Sequence, residues 1–116
     1  MPVNKGTTTR TDKLKVYETV VSGPTSYSTG GFTVTTPLKR ILHNEVPIEA
    51  IVITPSLASN FVRVIEVVPP TTASPNTFNI KVHQIDVTAT APATWSEVAA
   101  GTDLSSMKIR IRAVGV

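Results

Sequence analysis

The stretch that decides the fold lies near the end of the sequence and reads Met107-Lys108-Ile109-Arg110-Ile111-Arg112-Ala113. Apolar and basic residues alternate through the whole stretch. Because successive side chains of a β-strand point to opposite faces of its sheet, this period of two predicts a strand with one apolar face and one basic face. The apolar face is expected to join a hydrophobic core, which leaves the three cations on the other side.

The composition extends this prediction to the whole chain. Of the 116 residues, 18 are threonine and 16 are valine, and cysteine is absent. β-Branched side chains suit a pleated, half-buried surface. Short runs of them recur between glycine and proline turn signals, and no long amphipathic helix interrupts them. We therefore predict an all-β protein, an antiparallel β-sandwich or barrel-like fold of about seven short strands.

Five further strands are expected at residues 14–21, 32–35, 50–54, 61–68 and 77–88. The third of these is mostly apolar from Ala50 to Thr54, which is typical of a buried central strand. The fourth has apolar residues at both alternating positions, so we expect it to be covered on both faces. In the fifth, the apolar phase slips at Gln84, which predicts a β-bulge there.

Two segments have local sequence patterns that also fit a helix. Thr36 and Pro37 fit the start of a helix, but the surrounding β context favours a strand from Leu38 to Val46. Residues 94–97 match a helix capping box, and Gly101 is placed to end a one-turn helix.

The chain divides into an arm and a body. Residues 1–12 are rich in threonine and nearly devoid of apolar side chains, so they cannot order themselves by burial. They are either a flexible terminus or an arm that adds to a neighbouring subunit's sheet edge, with Lys5, Thr8 and Arg10 as its candidate contacts. Residues 13–116 are expected to form a single β domain.

Residues able to carry chemistry are few. Without cysteine there is no disulfide, thiolate metal site or thiol nucleophile, and His43 and His83 lie far apart in unrelated patterns. Motifs for nucleotide, phosphate or serine-hydrolase chemistry are absent. We therefore expect no enzyme activity, no metal and no cofactor.

Charge and hydropathy bound the partners. The net charge is only +3, the basic residues are scattered and aromatic residues are few, so nucleic-acid binding is not expected. The N-terminus lacks the apolar region of a signal peptide, and no apolar run approaches the roughly 20 residues of a membrane span. Synthesis in the cytoplasm, without membrane association, is the expectation.

Two features remain as candidates for protein binding. The row of Lys108, Arg110 and Arg112 is either a solvated strand face with acids opposite or a strip that docks on an acidic partner. Trp95, the only tryptophan, is either a plug at one end of the core or an interface anchor, since tryptophan is enriched in binding hot spots.

The sequence also resembles a known group. Its stretch Gly31-Phe32-Thr33-Val34-Thr35-Thr36-Pro37-Leu38-Lys39-Arg40-Ile41 and its ending Lys108-Ile109-Arg110-Ile111-Arg112-Ala113-Val114-Gly115-Val116 are similar to small virion proteins of tailed bacteriophages, together with the threonine-rich start. The resemblance implies a capsid decoration (cement) protein on the outside of the virion, made in the host cytoplasm. It further implies a homo-oligomer, with a trimer favoured, that binds the major capsid protein and bridges its subunits with an extended arm.

Other classes stay open. A tail, baseplate or head-fibre component that contacts the host surface would have the same composition. The ending is also similar to a strand of fibronectin type III domains, although the early core tryptophan of that family is missing, because Trp95 comes late. A carbohydrate-binding β-sandwich module is the related alternative.

Overall fold

The computed structural model describes residues 14–42, 47–57, 60–88 and 94–116. These residues form strands and no helix, arranged in two antiparallel sheets. The strands are β1 (Lys15–Ser22), β2 (Phe32–Thr35), β3 (Ile48–Thr54), β4 (Phe61–Val68), β5 (Thr77–Asp86), β6 (Ser96–Glu97) and β7 (Lys108–Gly115). The predicted all-β fold of about seven strands in a sandwich-like arrangement is confirmed.

The first sheet, here the β7 sheet, has the order β1-β7-β3. Its central strand is the alternating stretch that opened the sequence analysis. Ile109, Ile111 and Ala113 are fully buried, whereas Arg110 and Arg112 are exposed. The predicted division of this strand into an apolar and a basic face is therefore confirmed. The flanking strands β1 and β3 pair with it in register and turn their own alternate residues inward.

The second sheet, here the β5 sheet, is built around β5. β4 runs along one edge of β5, while β2 and β6 share the other edge, one after the other. Phe78, Ile80 and Val82 of β5 are buried, and Ile65 and Val67 of β4 pack against the same core. This sheet thus contributes the opposite wall of the sandwich.

One hydrophobic cluster joins the two walls. Side chains from the connections between strands also enter it, among them Tyr27, Leu38, Ile41 and Leu104, all buried. Because apolar burial is the main favourable term in folding, this shared cluster is what holds the two sheets together.

Two of the strands are less covered than predicted. β3 is an edge strand and not a central one, and its Ile51 and Ile53 are 57% and 44% exposed. The prediction that β4 is covered on both faces is also wrong, since Val62 and Val64 are exposed. The sequence pattern does not distinguish β-branched residues on the solvent-facing side of a strand from buried ones.

The predicted bulge at Gln84 is wrong as well. β4 and β5 pair without interruption from Phe61 opposite Asp86 to Val68 opposite Asn79. The apparent slip arises because Ile85 is an apolar residue on the outer face, opposite Val62. The register shift that does occur lies in β3, between Val52 and Thr54.

The two segments whose local patterns also fit a helix differ from the prediction. The described part of 38–46 forms neither strand nor helix, apart from one isolated bridge between Ile41 and Gly115; residues 43–46 lie outside the described residues. Ser96–Glu97 is the short strand β6 and not a helical turn. The predicted arm, residues 1–12, also lies outside the described residues.

Candidate protein-binding surfaces

The outward side chains of β1, β7 and β3 form a surface that we call the basic face. Lys108, Arg110 and Arg112 all lie on it, at alternate positions of β7. Each cation sits at the centre of a row, because β1 and β3 place one residue on either side of it. The three rows differ in the chemistry of the residues that flank the cation.

In the Arg112 row, carboxylates flank the cation on both sides and outnumber it. Glu18 and Glu49 are its neighbours in the two adjacent strands, and Arg112 Nε lies 3.5 Å from Glu18 Oε1. Exposed pairs of this kind contribute at most about 1 kcal/mol. The Lys108 row is polar, since Ser22 and Thr54 flank the cation and Lys108 Nζ donates a hydrogen bond to Ser22 Oγ at 2.6 Å.

The Arg110 row is different, because its neighbours are Val20 and Ile51. Both are apolar and well exposed, at 50% and 57%. Arg110 makes no ion pair and no side-chain hydrogen bond with any residue that the structure describes. Arg110 is thus a cation between two exposed apolar side chains, which distinguishes it from Lys108 and Arg112. The predicted basic strip therefore consists of three chemically different positions.

The opposite surface, formed by the outward side chains of β4, β5 and β6, is called the acidic face. One of its rows holds Glu97, His83 and Val64, and the next row pairs Lys81 with Glu66. His83 Nε2 lies 2.8 Å from Glu66 Oε1. The two carboxylates outnumber the single lysine, so this face carries the opposite sign to the basic face.

Trp95 lies at the end of the acidic face. It is 50% exposed, so the interpretation of Trp95 as a plug of the core is wrong. Trp95 directly precedes β6, and on the same face Ile85 of β5 lies opposite Val62 of β4. An apolar row therefore borders the charged rows of this face.

Glu97 is held in place by the interior of the protein. Its Oε2 accepts a hydrogen bond from the hydroxyl of Tyr27 at 2.6 Å and another from the N–H of Gly30 at 2.8 Å. These bonds lower the pKa of Glu97. Burial, and next the bond to Glu97, raise the pKa of Tyr27 to about 12. The carboxylate is consequently a fixed negative charge at neutral pH.

Sequence reasoning missed both members of this pair. They are 70 residues apart, and Tyr27 sits in a turn-like segment with no periodic pattern. A lone tyrosine between turn signals was the available clue, since a buried tyrosine hydroxyl needs a hydrogen-bond partner.

A polar network closes one end of the sandwich. Arg63 donates from Nε to Gln84 Oε1 at 3.1 Å, and from Nη1 to the carbonyl and hydroxyl oxygens of Ser56 at 3.1 and 3.0 Å. Burial lowers the pKa of Arg63. Because its donors are engaged within the chain, Arg63 ties β4 to the segment after β3 and is not a candidate for partner binding.

Titratable side chains do not gather into a metal-binding cluster in the part of the chain that the structure describes. Within those ranges no three His, Asp or Glu side chains are placed to hold a metal ion. The grooves found among the described residues are open to solvent, and one of them is lined by Arg40, Ile41, Thr71, Thr72 and Pro75. His43 lies outside the described residues, as do the arm candidates Lys5, Thr8 and Arg10. No described helix is long and apolar enough to cross a membrane.

Comparison of the chain with protein-family models, with curated proteins and with solved structures found no match. The class that the fold and the surfaces define is a small antiparallel β-sandwich with two exposed outer faces of opposite charge. Among the described residues, the candidate functional side chains lie on these exposed faces and not in an enclosed site.

Proposed function

We propose that this protein is a structural component of a virion, a capsid decoration protein that acts by binding other protein subunits and carries out no reaction. The observation that carries the proposal is the Arg110 row, in which Val20 and Ile51 are exposed on either side of a cation that makes no ion pair with the residues that the structure describes. Single exposed apolar residues are ordinary, but two of them in one row of the same face enlarge the apolar surface that a partner can cover.

The chemistry of this row suits a protein partner. Arginine is enriched at the centres of interfaces, where its charge and its planar group are both used. The apolar neighbours would be removed from water on contact, and Arg110 would meet a carboxylate of the partner. Steering by the opposite charge would speed and orient docking.

The arm supplies the second support. Residues 1–12 are polar, threonine-rich and basic at Lys5 and Arg10, a composition suited to contacts with a partner's surface. Together with the resemblance to small phage virion proteins, this composition favours an arm that binds the capsid shell, while the β domain contacts neighbouring subunits. Binding only to the assembled shell stabilises that shell by mass action, and many copies add avidity.

The test uses capsid shells that lack the protein, prepared from the virus that encodes it. Added protein should cosediment with the shells and raise the temperature at which they open. A variant without residues 1–12 and the variant Arg110→Glu should both bind more weakly, by about tenfold or more if each removes 1.4 kcal/mol. Lys39→Glu, at an exposed loop position, is the control for the change in charge. Shells that neither bind the protein nor gain heat resistance would refute the proposal.

The half-exposed Trp95 favours a second candidate, a module that binds carbohydrate on a host surface, since a tryptophan ring can stack on a sugar. Glycan-array binding that Trp95→Ala abolishes would select this candidate. For a tail or baseplate location, gold-labelled antibody on whole particles is decisive: label on the tail and none on the head would replace the decoration role.

A further inference from the structure

We infer that β1 binds an added β-strand, an extended segment of a partner protein that places a basic residue between two apolar ones on the outer side of the sheet. The site is the backbone edge of β1 that no described strand covers, together with the side chains beside it. Because the proposed function assigns residues 1–12 to the shell, the added strand comes from the partner. The inference rests on that function for the role of the contact, but a peptide tests it without a shell, so the two proposals can fail separately.

The hydrogen bonds at the end of β1 show which of its backbone groups point away from β7. Just after the strand, the N–H of Gly23 donates to the carbonyl oxygen of Met107 at 2.8 Å, in the same register as β1 and β7. In an antiparallel ladder, the residues that bond to one neighbour recur at every second position. Tyr17, Thr19 and Val21 therefore bond to β7, and the residues between them direct their N–H and C=O groups to the other edge.

The middle of this open edge consists of Val16, Glu18 and Val20, whose N–H groups we call the edge amides. By this alternation, their N–H and C=O groups have no backbone partner among the residues that the structure describes. Such an edge is a template for another extended chain. β1 has eight residues and pairs with β7 without a register shift, so its edge is long and regular enough to receive a strand.

The other outer edges of the described sheets are less suited to strand addition. β3 and β4 contact each other, and β3 has a register shift near its end. β2 and β6 have only four and two residues. Covered, irregular and short edges are the usual ways in which a sheet avoids adding a strand. β1 has none of these features and contains no proline.

The outward side chains of β1 define the chemistry of the added strand. Glu49, Arg112 and Glu18 follow one another across the sheet, so a cation beside Glu18 would continue the alternation of charge. Opposite charges on neighbouring strands attract, and like charges repel. The adjacent rows end in Val16 and Val20, which are 51% and 50% exposed. Apolar side chains of the partner beside them would be removed from water together with them.

The inner side of the added strand would meet a partly covered wall. Tyr17 and Val21 pack against the core and are only half-buried. Side chains that cover them must be uncharged, because a charge taken out of water without a partner is costly. The two sides together require a segment that is apolar, neutral, basic, neutral and apolar in that order.

The experiment follows the amides of isotope-labelled protein by NMR while a peptide is added. The probe is the acetylated and amidated peptide Thr-Val-Thr-Lys-Thr-Val-Thr, and its counterpart has glutamate in place of lysine. In the free protein, the amides of Tyr17, Thr19 and Val21 should exchange slowly with solvent and the edge amides quickly. The lysine peptide at saturation should slow the edge amides. It should also bind about fivefold more tightly than the glutamate peptide, as expected for one cross-strand charge pair.

Three variants separate the backbone from the charge. Val16→Pro removes one edge amide and leaves the hydrogen bonds to β7 in place, since proline is tolerated where the N–H faces outward. It should weaken binding of the lysine peptide about fivefold or more. Val16→Thr keeps the N–H and the branched shape, and should bind within about threefold of the wild type. Glu18→Lys should reverse the preference, so that the glutamate peptide binds more tightly. Melting curves check the fold of each variant, and the reversal by Glu18→Lys decides alone if the proline variant does not fold.

Several results would overturn the inference. Edge amides that already exchange slowly in the free protein mean that the edge is occupied: by residues 1–12 if their deletion makes the exchange fast, or by a second copy if dilution does. A lysine peptide that leaves the edge amides unchanged, or that binds Glu18→Lys as tightly as the wild type, also overturns it. Shell binding without peptide binding would remove only this strand site, and peptide binding without shell binding would remove only the decoration role.

Discussion

The hydroxyl of Tyr27 fills a gap in the edge of β5. It accepts the backbone N–H of Val82 at 3.1 Å and donates to Glu97 at 2.6 Å. β2 pairs with β5 only as far as Ile80, and β6 begins pairing at His83. The phenol therefore serves a backbone donor that neither strand reaches, and it joins the two short strands into one edge.

Replacement of Tyr27 by phenylalanine should destabilise the fold by about 1–3 kcal/mol, because a buried N–H then lacks its partner. Urea unfolding followed by tryptophan fluorescence measures the change. Tyr17→Phe is the matched control, since Tyr17 makes no side-chain hydrogen bond with the described part of the chain, and it should stay within about 0.5 kcal/mol of the wild type. Equal effects of the two variants would contradict this role of the hydroxyl.

The same pair predicts an alkaline limit to stability. The pKa of Tyr27 is raised from 10.0 to about 12 in the folded protein, so the folded state keeps a proton that the unfolded state loses. The contribution of Tyr27 is therefore complete below pH 10 and declines as the pH rises from 10 through about 12. The stability gap between wild type and Tyr27→Phe should narrow over that range. A constant gap would show that the phenol is not protected.

The paired glycines before β2 offer a matched test of close packing. Gly30 and Gly31 share a φ of 97°, but a methyl group at Gly31 would overlap the carbonyl oxygen of Ile80, while at Gly30 it would meet nothing within 4 Å. Gly30→Ala should cost about 1 kcal/mol from backbone strain alone. Gly31→Ala should cost roughly 2 kcal/mol or more, since the overlap adds to the same strain. Thermal unfolding of both variants compares them, and a reversed order would count against the contact with β5.

The two sides of the β7 sheet should respond differently to truncation. Ile109→Ala empties space in a fully buried position and should cost about 2–5 kcal/mol. Ile51→Ala removes a similar side chain from the exposed side and should change stability by about 0.5 kcal/mol at most. Denaturant unfolding, at concentrations where the protein is monomeric, measures both. A large loss for Ile51→Ala would mean that this face is already covered in the monomer.

The sequence predicted most reliably where one face of a strand is buried and the other is charged. In the predicted strand Met107–Ala113 the alternation was right, since Met107, Ile109, Ile111 and Ala113 are buried and Arg110 and Arg112 are exposed. The alternation failed where outer faces are apolar, as at Ile51, Val62 and Ile85, because the sequence pattern is then the same for a buried and an exposed face. Those failures lie on the two outer faces, the candidate binding surfaces.

The remaining errors concern partners that are distant in the chain. Ser96–Glu97 carries a local helix signal, but pairing with His83 and Gln84 overrides it. The site was predicted in part: the cations of β7 were found, while the anchoring of Glu97 by Tyr27 depends on a contact across 70 residues. Short-range patterns do not contain that information.

The central position of β7 has a consequence for how the protein forms. β1 is the first strand and β7 the last, yet Lys15 pairs with Gly115, and β3 also depends on β7 for its ladder. Among the described strands, β1 and β3 have no partner in this sheet other than β7. Pairings between residues so far apart in the sequence slow folding. We therefore expect this sheet to form late, in one step, when β7 pairs with both β1 and β3.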